Sequence, residues 1–399
     1  MNTNIQQLHQ IASKEERLII GLMSGTSLDG LDIALCKCKG SGTNTTVEIV
    51  QFETVAYNND FKQEVKSVFS KRQVDLEKLC LLNEWIALQH ANMINTCLKQ
   101  WGIKNERVDM IASHGQTIYH APKSLHKQEK FGNATLQIGD GDHIAVNTSI
   151  ITISDFRQKH IAAGGEGAPL ALYGDYLLFG KQGENRIMLN IGGIANFTYL
   201  PASMDAAAMF STDTGPGNTM MDAYMQQHFA GKYFDEDAAI ARQGTVHALL
   251  LAALKDNPFF NEGFPKTTGP ELFNLAYLAN AMERAGIGFI DHVDAMATLN
   301  RFTADTIVHS LQQTMQQKRF AVYASGGGMH NPFLMQHLGQ QLPHADFRNI
   351  NDLNINPDAK EAVLFAVLAN ECVAGNGHLF AGNIAGIPNV RMGKISFPS

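Results

Sequence analysis

Cysteine is sparse in this chain of 399 residues, and the five present (Cys36, Cys38, Cys80, Cys97, Cys372) form no C-x-x-C pair and no zinc-ligand spacing. That excludes a disulfide scaffold and a zinc ribbon, and reduced thiols are expected. Positive charge is also short, with 31 Lys and Arg against 38 Asp and Glu. Without a cationic field, neither nucleic acid nor an anionic membrane is expected as the main partner. No apolar run is long enough to span a bilayer. Met1 to Arg17 carries only scattered apolar residues, so no secretion signal is expected there and the expected location is the cytoplasm. No G-x-x-x-x-G-K-[ST] occurs, which excludes a Walker A loop, and no short repeat suggests a solenoid.

What the chain has is glycine in telling places. Leu18-Ile-Ile-Gly-Leu-Met-Ser-Gly25-Thr26-Ser27-Leu28-Asp29-Gly30-Leu31-Asp32 reads as an apolar strand, a glycine turn and a second strand. Ile187-Met-Leu-Asn190-Ile-Gly192-Gly193-Ile-Ala-Asn196 repeats that pattern in the other half. A strand rather than a helix follows each turn, so neither is a dinucleotide fingerprint. Bare glycine backbone lets several N–H groups converge on one anion, and a turn in each half suits a grip on a polyphosphate from both sides. A third turn, Gly326-Gly327-Gly328, follows the buried-strand candidate Phe320–Ala324 and precedes a helix with Asn331 as N-cap and Pro332 in its first turn. Bare backbone there suits a flat adenine ring. Each turn alone also satisfies ordinary turn geometry; the conjunction of three is what points to ATP and to a phosphotransferase.

The rest of the chain mixes strands and helices, which argues α/β. Leu79, Leu82, Ile86, Met93, Cys97 and Trp101 fall on one face of a helix from Asp75 to Trp101. Strands are expected over 108–113 and 144–153, helices over 170–179, 220–229 and 359–374, and a solvated loop over 121–133. With 45% hydrophobic and 17% charged residues, a well-packed two-domain protein is expected. The boundaries are placed at 1–145 plus 375–399 for one domain and 146–374 for the other.

Several polar residues stand where chemistry needs them. Asp29 and Asp32 offer carboxylates to the Mg²⁺ that accompanies ATP. Asp213, in Ser211-Thr-Asp-Thr-Gly-Pro-Gly-Asn218, is expected in a loop and suits a general base; the same position also suits a helix cap. Arg157, beside the glycine-rich stretch Ala162 to Pro169, suits recognition of a carboxylate or hydroxyls, or lies on the surface. His114 follows a strand end, where sites form, and equally suits a structural role. Lys266-Thr-Thr-Gly269 also reads as a helix cap.

Taken in order, Gly21-Leu-Met-Ser-Gly-Thr-Ser-Leu-Asp-Gly30, Ser113-His-Gly-Gln-Thr117, Asp155-Phe-Arg157 and Ala163-Gly-Gly-Glu-Gly-Ala-Pro-Leu170 form the first half of a longer pattern. Asn190-Ile-Gly-Gly-Ile-Ala-Asn196, Asp213-Thr-Gly-Pro-Gly-Asn218, Pro265-Lys-Thr-Thr-Gly269, Gly326-Gly-Gly328, Asp358-Ala-Lys-Glu-Ala362 and Gly393-Lys-Ile395 complete it. The whole resembles the anhydro-N-acetylmuramic acid kinase family, within the sugar-kinase, actin and heat-shock ATPase superfamily. The resemblance implies a two-domain actin-like ATPase fold, ribonuclease H-like in each half, with ATP in an interdomain cleft. It implies ATP and Mg²⁺, a small anhydro sugar as substrate, and a homodimer. Gly25 to Asp32, Gly192, Gly193 and Gly326 to Gly328 match nucleotide contacts, and Asp213 matches the catalytic base. Asp29 is the metal candidate, and His114, Arg157 and Glu361 are the sugar candidates. Family members open the 1,6-anhydro ring with water and phosphorylate the released O6 in one event.

Four positions depart from the family pattern. His160 replaces an acidic residue, Glu166 a glutamine, Ala171-Leu172 a Val-Pro pair, and Pro270 an arginine. Three of these cluster on the expected sugar wall, so a different anhydro sugar such as levoglucosan is an open alternative. A nucleotide-binding clamp without sugar turnover is another.

Overall fold

The computed structural model describes residues 2–168, 170–353, 357–375 and 387–399. Pro169, the last residue of the expected glycine-rich wall, and residues 376–386 of the expected returning tail lie outside the described residues. The chain divides into two compact units: the described residues of Met1–Gly180, Asp205–Ala207 and Leu353–Ser399, and those of Lys181–Met204 and Ala208–Asp352.

In the first unit β1 (Glu16–Ser24), β2 (Gly30–Lys39) and β3 (Thr46–Ala56) form an antiparallel meander. On the other side of β1, β4 (Met110–Ala121) runs parallel to it, β6 (Thr152–Ser154) parallel to β4, and Lys394–Ser396 pairs antiparallel with β6. β5 (Ala134–Ile138) adds to the far end of β4. β1 is buried from Ile19 onward because helices cover both sheet faces. On one face lies the helix Leu76–Gln100, capped by the Asp75 side chain, which accepts from the N–H groups of Glu77 and Lys78. Its stripe of Leu82, Ile86, Ile94 and Cys97 packs with Ile20, Leu22, Ile33 and Ile111. On the other face the helix Lys360–Ala374 packs against β1, β2 and β4. Gly21 permits that approach: a Cβ there would sit 1.9 Å from the Ala362 carbonyl oxygen.

In the second unit β7 (Arg186–Ile191), β8 (Ile194–Leu200) and β9 (Phe210–Pro216) form the meander. β10 (Phe320–Ser325) and β11 (Ala345–Asn349) then follow in parallel beside β7. Ile187, Leu189, Ile191 and Val322 pack on Ile307 and Leu311 of the helix His292–Met315. The two units therefore share one strand order, a meander of three extended by two parallel strands from its first member. This is the ribonuclease H-like order, present twice, as the sequence reading expects.

Three expectations change. The boundaries near 145 and 374 move to 180 and 352, because β6 pairs with β4 and the helix Lys360–Ala374 covers β1. The strand expected over 144–153 is a helix, Gly141–Thr148, followed only by the short β6. Asp140 caps that helix by accepting from Asp142 and His143 N–H, and Ile144, Ala145 and Thr148 are its buried side, a helical spacing. Asp213 lies within β9 rather than in a loop, with Asn196 of β8 opposite it.

Candidate functional site

The turn between β1 and β2 in the first unit leaves Thr26, Ser27 and Asp29 exposed. Leu28 is buried and held at a φ of 59°, in the left-handed region that leucine seldom adopts. Its N–H donates to the Gly25 carbonyl at 3.4 Å, and the Tyr57 N–H donates to the Asp29 carbonyl at 3.1 Å. The N–H groups of Thr26 and Ser27 have no acceptor among the described residues, so this bare turn offers amides to an anion. Burial, together with Asp358 and Asp29, pushes the Asp32 carboxyl above its ordinary range, against a 2.6 Å hydrogen bond from Thr54 Oγ1.

Behind this turn, β4 and the helices beside it bring His114, Arg157 and Glu361 together. Arg157 Nε donates to His114 Nε2 at 2.9 Å, and Nη1 donates to the Gly167 carbonyl at 2.7 Å. His114 is thereby fixed as a neutral acceptor at Nε2. Burial, then the Arg157 charge, pushes its pKa down to about 3. Arg157 is half-buried, and the Glu361 carboxylate supports its charge. Glu361 is exposed at the start of its helix; desolvation by the protein around it pushes its pKa up, Lys360 and Arg157 draw it down, and Asp32 pushes it up again. Two hydrogen bonds thus tie Arg157 to His114 and the glycine-rich stretch, and it does not lie loose on the surface. Arg157 Nη2 has no partner among the described residues and is available to a ligand.

His160, the departure from the family pattern, is 1% exposed. Its Nδ1 accepts from the Gly167 N–H at 2.9 Å, and its ring fills the space where a Cβ on Gly165 would fall, 2.2 Å away. It props the glycine-rich stretch from beneath. Burial and Arg157 push its pKa down to about 4, so it stays neutral in that role.

In the second unit, Asp213 is half-buried on β9. Its Oδ2 accepts the Thr268 N–H at 2.8 Å, and its own N–H donates to the Lys266 carbonyl at 3.0 Å. Burial raises its pKa and the Thr268 hydrogen bond opposes the rise, the balance that suits a base working nearer neutrality. Asp213 caps no helix, and Lys266–Thr268 is not a cap either. That segment is the brace of Asp213, with Lys266 Nζ donating to the Phe259 carbonyl at 2.8 Å and lying over the Phe259 ring. Sequence reasoning missed this brace because its contact spans 55 residues.

The second and third glycine turns lie side by side at the end of β7. The N–H groups of Gly217 and Asn218 donate to the carbonyls of Gly193 and Gly192, both at 2.8 Å. Gly326 has a φ of 81°, and a Cβ on it would fall 2.7 Å from the Ile191 carbonyl oxygen. A Cβ on Gly328 would fall 2.2 Å from Ile191 Cγ2. Two of the three glycines thus serve close packing on β7. Gly327 instead lines a cavity of about 620 Å³ with Asn218, Met221, Asp222, Tyr233 and Asn331. Burial pushes Asp222 up to about 6. Among the described residues no group of three His, Cys, Asp or Glu side chains is arranged to hold a metal.

The chain matches, over residues 17–385, the family model described as anhydro-N-acetylmuramic acid kinase. A protein of that name from Pseudoalteromonas atlantica is 57% identical over 400 residues, covering 100% of both chains. One from Pseudoalteromonas translucida is 55% identical over 399 residues, again covering 100% of both. One from Caldanaerobacter subterraneus subsp. tengcongensis is 39% identical, covering 98% of this chain and 100% of the relative.

Proposed function

The chain belongs to the anhydro-N-acetylmuramic acid kinase family, and from that premise we propose that it uses ATP to open and phosphorylate 1,6-anhydro-N-acetylmuramic acid. The product is N-acetylmuramic acid 6-phosphate, an intermediate in recycling of cell-wall sugar. Asp213 takes a proton from a water molecule whose oxygen bonds to the anomeric carbon. The bond from that carbon to O6 breaks, and O6 takes the γ-phosphoryl group as ADP leaves. Each half of the reaction helps the other, because the oxygen released by carbon is the one that bonds to phosphorus.

The half-buried Asp213, with its pKa raised and one carboxylate oxygen fixed by the Thr268 N–H, is the observation that carries this reading. The free amides of the Gly25–Asp32 turn are the proposed phosphate donors of the first unit. Gly192 and Gly193 are proposed to contact phosphate, and Gly326 to Gly328 with the cavity beside Gly327 to take the adenosine. His114, Arg157 and Glu361 are proposed for the sugar, with Arg157 Nη2 as the available donor. The exposed Asp29 and the acidic surroundings of Asp32 suit a hard cation held partly through water, and are the proposed holders of Mg²⁺. Bound there, Mg²⁺ would neutralise charge on the ATP phosphates.

No helix among the described residues is long and apolar enough to cross a membrane. The proposed working form is a cytoplasmic homodimer, which light scattering of the purified protein tests. Phosphate transfer to the anhydro amino sugar and to levoglucosan, measured side by side, tests the substrate. His160 supports the loop from below, so its departure from the family gives no reason to expect a changed sugar. A preference for levoglucosan would overturn the assignment.

A further inference from the structure

The phosphate turn of the first unit ends a buried hydrogen-bond chain whose direction can be worked out. Gln116 Nε2 faces two carbonyl oxygens, Gly25 at 3.4 Å and Thr117 at 3.3 Å, so it is the amide nitrogen and donates to both. Gln116 Oε1 therefore accepts, and Ser24 Oγ donates to it at 2.5 Å. Ser24 has one proton, now used, so the 2.7 Å contact with Tyr57 must be Tyr57 Oη–H donating to Ser24 Oγ. Tyr57 then has none left for His90, and the 3.0 Å contact is His90 Nε2–H donating to Tyr57 Oη. His90 Nδ1 is left as the unprotonated nitrogen, buried without a partner. All four side chains are buried. Each donates to the next, from His90 in the helix Leu76–Gln100 to the Gly25 carbonyl.

The end of that chain matters because a peptide unit is planar and trans. A carbonyl held on one side of the backbone turns the next N–H to the other. The carbonyl of Gly25 shares its peptide unit with the N–H of Thr26, one of the two free amides. Tyr57 also acts at the far end of the turn, since its own N–H donates to the Asp29 carbonyl. Its ring is fixed in turn by stacking on Phe61, with centroids 3.8 Å apart. One residue thus fastens the turn at both ends.

We infer that Tyr57 and Gln116 are positioning residues that orient the Thr26 amide toward the phosphates of a bound nucleotide, with His90 and Ser24 completing the chain. This deepens, and rests on, the reading of Gly25–Asp32 as the phosphate turn. It predicts a selective defect. Loss of the chain lowers affinity for ATP and leaves affinity for adenosine, which has no phosphate, unchanged.

The test titrates ATP and adenosine by calorimetry into the full-length protein and into Tyr57→Phe, Gln116→Met and the double variant, with melting curves to show that each is folded. Gln116→Met removes the donor to Gly25 without adding charge, and Tyr57→Phe removes a single oxygen. Gln116→Met is expected to weaken ATP binding about ten-fold, the worth of one hydrogen bond to a charged group. Tyr57→Phe should weaken it less, and in the Gln116→Met background it should add nothing beyond about two-fold, because it acts through Gln116. Parallel loss of adenosine affinity, or an independent effect of Tyr57→Phe in the double variant, overturns the inference. Gly25→Glu tests the underlying reading, since it sets a like charge beside the phosphates where the nearest atom to a Cβ is Ser27 Oγ at 3.6 Å. If Gly25→Glu weakens ATP and the chain variants do not, only the positioning role falls. If Gly25→Glu also leaves ATP binding intact, the phosphate-turn reading falls and this inference with it.

Discussion

Replacing Asp213 by asparagine removes the basic oxygen while keeping almost everything else. The carboxylate is fixed by the Thr268 N–H on Oδ2, and an asparagine carbonyl oxygen accepts that same 2.8 Å hydrogen bond. The side-chain volume and the β9 backbone pairing with β8 are retained. What disappears is the capacity to take a proton from water, a contribution of about 10²–10⁴ in rate. That corresponds to roughly 2.7–5.5 kcal/mol of barrier. In a coupled assay of ADP release with the anhydro sugar present, kcat should fall by that factor while ATP affinity holds. Stability moves the opposite way. The folded-state pKa of Asp213 is raised, so its stabilising effect is fully present below the unfolded-state pKa and is lost as pH rises through the folded-state value. Ionised at neutral pH, Asp213 is a small liability, and Asp213→Asn should melt no lower than the parent there. The acid limb of the parent's kcat/KM should lie above the ordinary carboxyl value of 3.8, with activity lost as pH falls through it. A variant keeping more than about a tenth of kcat would refute the role, since a general base is worth at least 10².

Other substitutions separate support from contact. Gly328→Ala drives a Cβ to 2.2 Å from Ile191 Cγ2 and should cost about 1–3 kcal/mol in urea unfolding. Gly192→Ala meets nothing closer than 3.5 Å, so it should unfold like the parent and show its effect only in ATP affinity. Arg157→Lys cannot reproduce both the His114 and Gly167 hydrogen bonds, and should raise KM for the sugar about ten-fold with ATP affinity unchanged. His160→Ala leaves the Gly167 N–H without its acceptor and should lower stability by about 1–3 kcal/mol, whereas His160→Asn supplies a replacement oxygen and should recover part of the loss.

Local features of the fold were legible in the sequence because they depend on local chemistry. The glycine turns stand between apolar runs, Asn331 caps the helix it was expected to cap, and the helix expected from Asp75 to Trp101 spans Leu76–Gln100. The repeated strand–turn–strand unit matched the two meanders. What went unread depends on distant partners. Ile144 to Ile153 is apolar enough for a strand, yet its first half belongs to a helix that Asp140 caps from outside the run. Asp213 sits among Thr, Gly and Pro, residues common in loops, yet pairing with β8 makes it a strand residue. His90 lies on the buried side of an amphipathic helix and reads there as filler. Its hydrogen bond to Tyr57, 33 residues away, is invisible to any local pattern. The packing of the helix Lys360–Ala374 on β1, licensed by Gly21, likewise joins segments more than 300 residues apart.

Isotope placement tests the central chemistry most directly. The protein is incubated with ATP, Mg²⁺ and 1,6-anhydro-N-acetylmuramic acid in ¹⁸O-labelled water, and the label is located in the sugar phosphate by mass spectrometry and ³¹P NMR. Attack by an Asp213-activated water on the anomeric carbon places one ¹⁸O at C1, with O6 and the phosphate unlabelled. Label in the phosphoryl group, or a phosphorylated sugar whose anhydro ring is still closed, would contradict it.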